Sequence, residues 1–265
     1  MCGKAQERVS LRPAKAEVGG DLPADARDAS RRSSGRPGGG GPRVEVVIAR
    51  CGEDLRWTRR LPSDVAVTVY DKSERPLPGA LQLPNLGREG HTYLHHIVAR
   101  FDSLADITVF AQGHPFDHVH DFHPTVRAIA EGRMPVGGFR WLGFIIDTDD
   151  PRGRRLFTAW SKNPEGRELP LEEFHQALFQ SSAPPQVRFR PGAHFSVTRE
   201  RIRFRSREFY VKARDLCLRW PGLEGAACLE RIWDRLFGVR GVASCELDGR
   251  DTVYLKPIRR LGTMA

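Results

Sequence analysis

Between residues 110 and 123 the chain reads FAQGHPFDHVHDFH, with histidine at 114, 118, 120 and 123 and aspartate at 117 and 121. Imidazole and carboxylate are side chains that divalent transition metals readily take. The stretch therefore fits a metal-dependent hydrolase built on His114, Asp117, His118 and His120. His118 and His120 lie two apart, however, and in an extended segment they point to opposite sides. The spacing matches no familiar metal signature. The other reading is a hydrogen-bonded loop in which one or two histidines touch a substrate.

A second acidic stretch, GFIIDTDDPRG, sets Asp147, Asp149 and Asp150 just past an apolar run. Two carboxylates one residue apart at a strand end can share a divalent ion and leave sites for diphosphate oxygens. Aspartate is also common in turns, because its side chain bonds its own backbone. A third feature is RERIRFRSR (199–207), with arginine at every second position. If extended, it puts five guanidinium groups on one face, a row suited to phosphates. His91 and His95 sit four apart and share a helical face without a third ligand. The chain contains no G-x-x-x-x-G-K-[ST], no G-x-G-x-x-G and no G-x-S-x-G. P-loop, Rossmann dinucleotide and α/β-hydrolase elbow chemistries lose support accordingly.

The elements that must position these residues alternate. VEVVIAR (44–50) predicts a strand, EDLRWTRRL (53–61) a short helix and VAVTVYD (65–71) a second strand, with SERPLPG (73–79) as loop. LPNLGREGHTYLHHIVARF (83–101) turns helical, with Leu94, Ile97, Val98 and Phe101 as its apolar stripe. ADITVFAQG (105–113) is a third strand and HPTVRAIAEG (123–132) a helix. FRWLGFIID (139–147) is a fourth strand and PLEEFHQALFQ (170–180) a helix. HFSVTRE (194–200) is strand-like, and 206–220 and 225–238 close the series as helices. This order implies an α/β domain with a mostly parallel central sheet flanked by helices. Functional loops in such folds gather beyond the carboxyl ends of the strands. The histidine stretch follows the third strand there and DTDD the fourth, so both are expected at one edge.

Composition bounds the rest. The chain has 265 residues, 40% of them hydrophobic, and a net charge of +9. Residues 1–43, with RRSSGRPGGGGPR and few large apolar groups, carry +4 of that charge. Such a segment buries too little to offset its ordering entropy, so a disordered basic tail is expected over 1–43, a folded domain over 44–240 and an extension over 241–265. A folded part at +5 suits a phosphate-bearing small molecule, whereas a specific nucleic-acid binder would show a concentrated basic face. The five scattered cysteines form no C-x-x-C pair. With no apolar run of about 20 residues, no membrane span is expected, and the default is a cytoplasmic protein. A non-catalytic binding protein, its tail on an acidic partner, is the reading that needs no chemistry.

VEVVIARCGEDLRW (44–57), VTVYDK (67–72), LPNLGREGHTYLHHIV (83–98), TVFAQGHPFDH (108–118), GAHFSVTRERI (192–202) and CLERIWDRLFG (228–238) together resemble an uncharacterised family, domain of unknown function thirty-four thirty-one. The likeness covers most of 44–238 and is most specific at N-x-G-R-E and F-x-Q-G-x-P-F-D-H. It supplies a fold expectation and candidate residues rather than a reaction. More distantly, the chain resembles GT-A-type nucleotide-sugar glycosyltransferases, which implies a single Rossmann-like domain using a nucleotide-activated sugar. On that likeness Asp147 and Asp149 would hold Mn²⁺ or Mg²⁺ against the diphosphate, and Glu230 would deprotonate the acceptor hydroxyl. Glu53, Asp54 and Asp71, with Arg88 and Glu89 of the N-x-G-R-E stretch, become candidates for contacting the nucleotide cofactor, and Gln112 and His118 for the reacting centre.

Overall fold

A computed structural model describes residues 41–143, 153–154, 168–185, 187, 189–220 and 224–239. The expected tail, residues 41–43 apart, and the expected extension lie outside the described residues, as do Asp147, Asp149 and Asp150.

Six strands make one sheet: β1 (Val44–Arg50), β2 (Ala66–Asp71), β3 (Leu81–Gln82), β4 (Ile107–Gln112), β5 (Phe139–Trp141) and β6 (Phe195–Thr198), in the order β3-β2-β1-β4-β6-β5. Among the described residues six helices accompany them: α1 (Arg88–Arg100), α2 (Phe122–Ala130), α3 (Leu171–Phe179), α4 (Arg199–Ile202), α5 (Arg207–Cys217) and α6 (Glu224–Leu236). The segment expected as a helix after β1 is one 3-10 helix, Arg56–Arg60.

The sheet is mixed, which corrects the expectation of a mostly parallel one. β1 pairs in parallel with β2 and β4, but β6 lies between β4 and β5 and runs antiparallel to both. Side-chain alternation along a strand is the same in either direction, since parallel and antiparallel ladders differ only in hydrogen-bond pattern. Nothing in HFSVT therefore signalled the reversal. Its consequence is positional. The carboxyl ends of β1, β2, β4 and β5 and the amino end of β6 all meet at one edge of the sheet.

Strands β1 and β4 are buried on both faces, as strands covered on both sides must be. Val46, Ile48, Val109 and Ala111 join Phe122, Val126 and Ile129 of α2 on one face. Val47 and Phe110 join α1, α3, α5 and α6 on the other. That second core is aromatic: Phe110 lies 4.9 Å from Tyr93 and 5.0 Å from Phe195, and Phe195 lies 5.0 Å from Trp233. Ring pairs at such distances add to the area they bury.

The arginine row does not form. Arg199 opens the helical turn α4, capped by the Thr198 hydroxyl, which accepts from the Arg201 N–H, so alternation ends where β6 ends. The guanidinium groups instead fasten α4 and α5 to the opposite edge of the sheet. Arg199 meets Asp106 at 2.8 Å, Arg203 donates to the Phe101 and Asp102 carbonyls, Arg207 pairs with Asp102, and Arg205 stacks 4.7 Å from the Phe209 ring centroid. β3, within a stretch where no strand was expected, is a two-residue edge beside Tyr70 and Asp71. Among the described residues no helix is long and apolar enough to cross a membrane.

Three glycines let the helices close. A Cβ on Gly90 would lie 2.9 Å from Leu229 Cδ1, and one on Gly87 would lie 3.0 Å from the Cys217 sulfur. At Gly225 a Cβ would drive into the backbone carbonyl of Cys217, which cannot swing aside. Gly225→Ala is therefore expected to destabilise the fold by about 1–3 kcal/mol, read as a lower urea midpoint at unchanged slope.

Candidate functional site

The strand order reverses at β1, which has β2 on one side and β4 on the other. Crevices at such a switch point, beyond the carboxyl ends, are where open α/β sheets bind ligands. Here the residues just after each strand stand at that position. Gly113 follows β4, its N–H bonded to the Ala49 carbonyl at 2.8 Å and its own carbonyl accepting from Trp57 Nε1 at 2.9 Å. A Cβ on Gly113 would lie 2.5 Å from Glu53 Oε2, so glycine is what allows the Glu53 carboxylate to lie across the strand end. Glu53 also accepts from the Cys51 N–H at 2.5 Å. Gln112, half-buried, pairs in register with Ala49 beside it.

Asp54 points away and is more than half exposed, paired with Arg56 at 2.6 Å. Hydrogen bonds from the Arg56 backbone N–H and then its side chain hold the Asp54 carboxyl below its ordinary value. Asp71 is fully buried at the end of β2. It accepts from Arg50, from the Ser73 N–H (2.9 Å) and hydroxyl (2.7 Å), and from the Leu77 N–H (2.9 Å). Burial alone would raise its pKa, but these donors outweigh it and the net shift is downward. Its accepting capacity is therefore spent on the loop after β2.

The next residue, Lys72, sends its ammonium to the carbonyls of Leu86, at 2.6 Å, and Arg88. Burial pushes that amine down to about 8. These carbonyls belong to the turn that starts α1, where Gly87 and Arg88 have φ of 58° and 48°. The left-handed region costs free energy for arginine, and Lys72 is the group that holds it there. Arg88 is exposed and lies 3.5 Å from Glu89.

Gly90 brings the first turn of α1 against α6, and the residues flanking that contact are Glu89 and Glu230. Glu89 is nearly buried, with 11% of its side chain exposed. Burial raises its pKa, Arg88 opposes the rise, and the facing Glu230 charge adds to it. A carboxyl raised in the folded state stabilises the fold below its unfolded value and loses that contribution as pH climbs through the folded value. Glu89→Gln is thus expected to melt above the parent near neutrality, the gap closing as pH falls toward about 4.5; thermal scans across that range check it.

Glu230 Oε1 accepts the Gly192 N–H at 2.7 Å. Gly192, with φ of 85°, abuts the other candidate, since a Cβ there would lie 2.5 Å from His118 Cδ2 and 2.8 Å from His194 Cδ2. Gly143, just past β5, packs in turn on the His118 carbonyl and accepts from Arg190 at 2.7 Å. One glycine thus joins Glu230 on α6 to His118 beyond β4, at the edge where β5 also ends.

The other histidines disperse. His114 and His120 are exposed, with His114 3.8 Å from Asp117, while His123 donates to the Trp57 carbonyl at 2.9 Å. Among the described residues no group of three or more His, Cys, Asp or Glu is arranged to hold a metal.

Residues 46–249 match the family model described as Protein of unknown function (DUF3431). The chain belongs to that family. No curated protein matches it. The family match spans both halves of the candidate site, from β1 to α6, so the strand-end residues and the Gly192 junction lie within it. Reading the sequence missed Lys72, Gly192 and His194. The signal for the last two was P-G-A-H ahead of a strand, because a glycine before a buried segment often marks close backbone approach.

Proposed function

We propose that the protein is a GT-A-like glycosyltransferase that moves a sugar from a nucleotide donor to an acceptor hydroxyl. The observation that carries this reading is the Gly192 junction, which joins Glu230 and His118 beside the β1–β4 switch point. The crevice there takes the nucleotide, with Glu53 accepting from a ribose hydroxyl as acidic residues do beside such switch points. Arg88, at the amino end of α1, faces the diphosphate, where helix N-termini favour anions. Glu230 removes the proton of the acceptor hydroxyl. The freed oxygen bonds to the anomeric carbon, and the bond from that carbon to the diphosphate oxygen breaks, releasing the nucleoside diphosphate. Gln112 and His118 hold sugar hydroxyls in line.

Mn²⁺ or Mg²⁺ on Asp147 and Asp149 would supply charge for the leaving diphosphate. Both residues lie outside the described ones, which themselves offer no three-donor set, so no step above depends on the ion. Calorimetry against a panel of nucleoside diphosphates and their sugars, with and without Mn²⁺, is the test. Saturable binding by one member is the expected result, and silence from every member ends the reading.

A further inference from the structure

Phe204, in the turn between α4 and α5, is 60% open to water and is the one exposed aromatic side chain among the described residues. Its ring rests on Gly238, where a Cβ would lie 2.8 Å away. Arg201 and Arg205 flank it, their guanidinium carbons 5.9 and 5.3 Å from its centroid. A lone exposed phenylalanine is ordinary, but this one stands among cations without counter-ions. The nearby acids are matched with the outer arginines. Asp106 and Glu200 lie 2.8 and 3.8 Å from Arg199, Asp102 pairs with Arg207, and Glu208 follows Arg207 in the first turn of α5. Among the described residues no carboxylate pairs with Arg201, Arg203 or Arg205. Arg203, exposed, donates to the Phe101 and Asp102 carbonyls, and Arg205 also lies over the Phe179 and Phe209 rings. Guanidinium charge is therefore left uncompensated on both sides of an open apolar ring.

The chain enters β1 at this same edge of the sheet. The Arg43 N–H donates to Asp106 at 2.8 Å and its guanidinium to the Leu104 carbonyl at 3.0 Å, a carbonyl that Arg199 also meets. Residues 1–43, with their charge of +4, are thus tethered beside the patch. We propose that this edge, centred on Phe204, is a docking face for an anionic lipid bilayer. A bilayer surface offers headgroup phosphates to the guanidinium groups and, just beneath them, an apolar layer to the ring. Clusters of roughly four to eight basic groups hold to anionic leaflets, and the three arginines with the tethered segment amount to such a cluster. Single-stranded nucleic acid also supplies phosphates, but successive bases stack on a series of open rings, and here one ring is open. The candidate site lies at the opposite edge of the sheet, so docking in this way leaves it facing the solution.

The test is co-sedimentation of the full chain with phosphatidylcholine vesicles made with and without phosphatidylserine. Binding is expected only where phosphatidylserine is present, and it should weaken as added salt screens the charges. Arg201→Gln should cut affinity about fivefold, one basic group's share beside an anionic surface. Phe204→Ser should cut it about tenfold, whereas Phe204→Leu, still apolar, should keep most of it. Neither side chain is buried, so melting curves of the variants should match the parent's. Should Phe204→Ser melt early, Arg201→Gln and the salt response decide. No sedimentation, or equal sedimentation with both vesicles, overturns the proposal. So does unchanged affinity in the Arg201→Gln/Phe204→Ser double variant, which would assign the lipid contact to the tail. Capture of single-stranded RNA by a chain that ignores vesicles overturns it in favour of a nucleic-acid partner.

Discussion

Asp71→Ala is expected to lower stability by about 3–5 kcal/mol, the loss that follows when one partner of a buried ion pair is removed. Arg50 is only 8% exposed, and its guanidinium would lose its carboxylate partner in a site closed to water. Its bonds to the Glu53 carbonyl and the Ser73 hydroxyl would remain, but neither carries the opposite charge. The N–H groups of Ser73 and Leu77 would lose their acceptor as well. Asp71→Asn keeps the shape and one acceptor oxygen, so it should lose less, and the difference between the two variants isolates the charge. Chemical denaturation of the three proteins measures both. The effect has a pH signature. A carboxyl lowered in the folded state stabilises above its unfolded value, near 3.8, and that contribution is lost as pH falls through the folded value. Wild type and Asp71→Ala should therefore converge in acid.

The same residue shows what a sequence can and cannot reveal about a site. Glu53, Asp54 and Asp71 are three acids at or just past the ends of two adjacent parallel strands, and as letters they are interchangeable candidates for a nucleotide. Their surroundings separate them. Glu53 lies across Gly113, Asp54 is out in solvent with Arg56, and Asp71 is enclosed by four donors. Which of these happens depends on a glycine 60 positions after Glu53 in the chain and on an arginine in the neighbouring strand. No local pattern holds that information.

The fold was legible to a similar depth. β1, β4 and α1 could be read because each buries a continuous or periodic set of large side chains, such as Val46, Val47 and Ile48, or Tyr93, Leu94 and Ile97, and β2 by its β-branched run alone, since only Tyr70 and Asp71 of it are buried. The direction of β6 could not, since HFSVT alternates identically either way. The reversal matters for function, because it delivers Gly192 and His194 to the edge through the start of a strand rather than its end. The arginine row failed for a related reason. Alternation at 199–207 is a property of letters, and the Thr198 cap turns the chain helical at the first of them. Of the histidine stretch, His118 lies at the Gly192 junction, whereas His123 is tied to Trp57.

Glu230→Gln carries the largest expected effect on turnover. On the transfer reading it should slow the sugar-transfer step about 10²–10⁴-fold, the usual contribution of a positioned general base. Donor affinity should stay within a few-fold, because the substitution keeps the side chain's size and leaves Arg88 and Glu53, the groups assigned to the nucleotide, in place. The substitution is nearly isosteric, and its amide oxygen can still accept the Gly192 N–H, so the junction itself should survive. A drop in kcat with unchanged donor affinity therefore reports lost proton transfer rather than lost structure. Gly192→Ala is the converse. It keeps the base but forces a Cβ against His118 and His194 at a φ of 85°, so it should disturb both sides of the site together. Stopped-time assays with the donor identified by calorimetry separate the two. If Glu230→Gln turns over like the parent while Gly192→Ala does not, the junction matters for shape alone, and the proton must leave through another group.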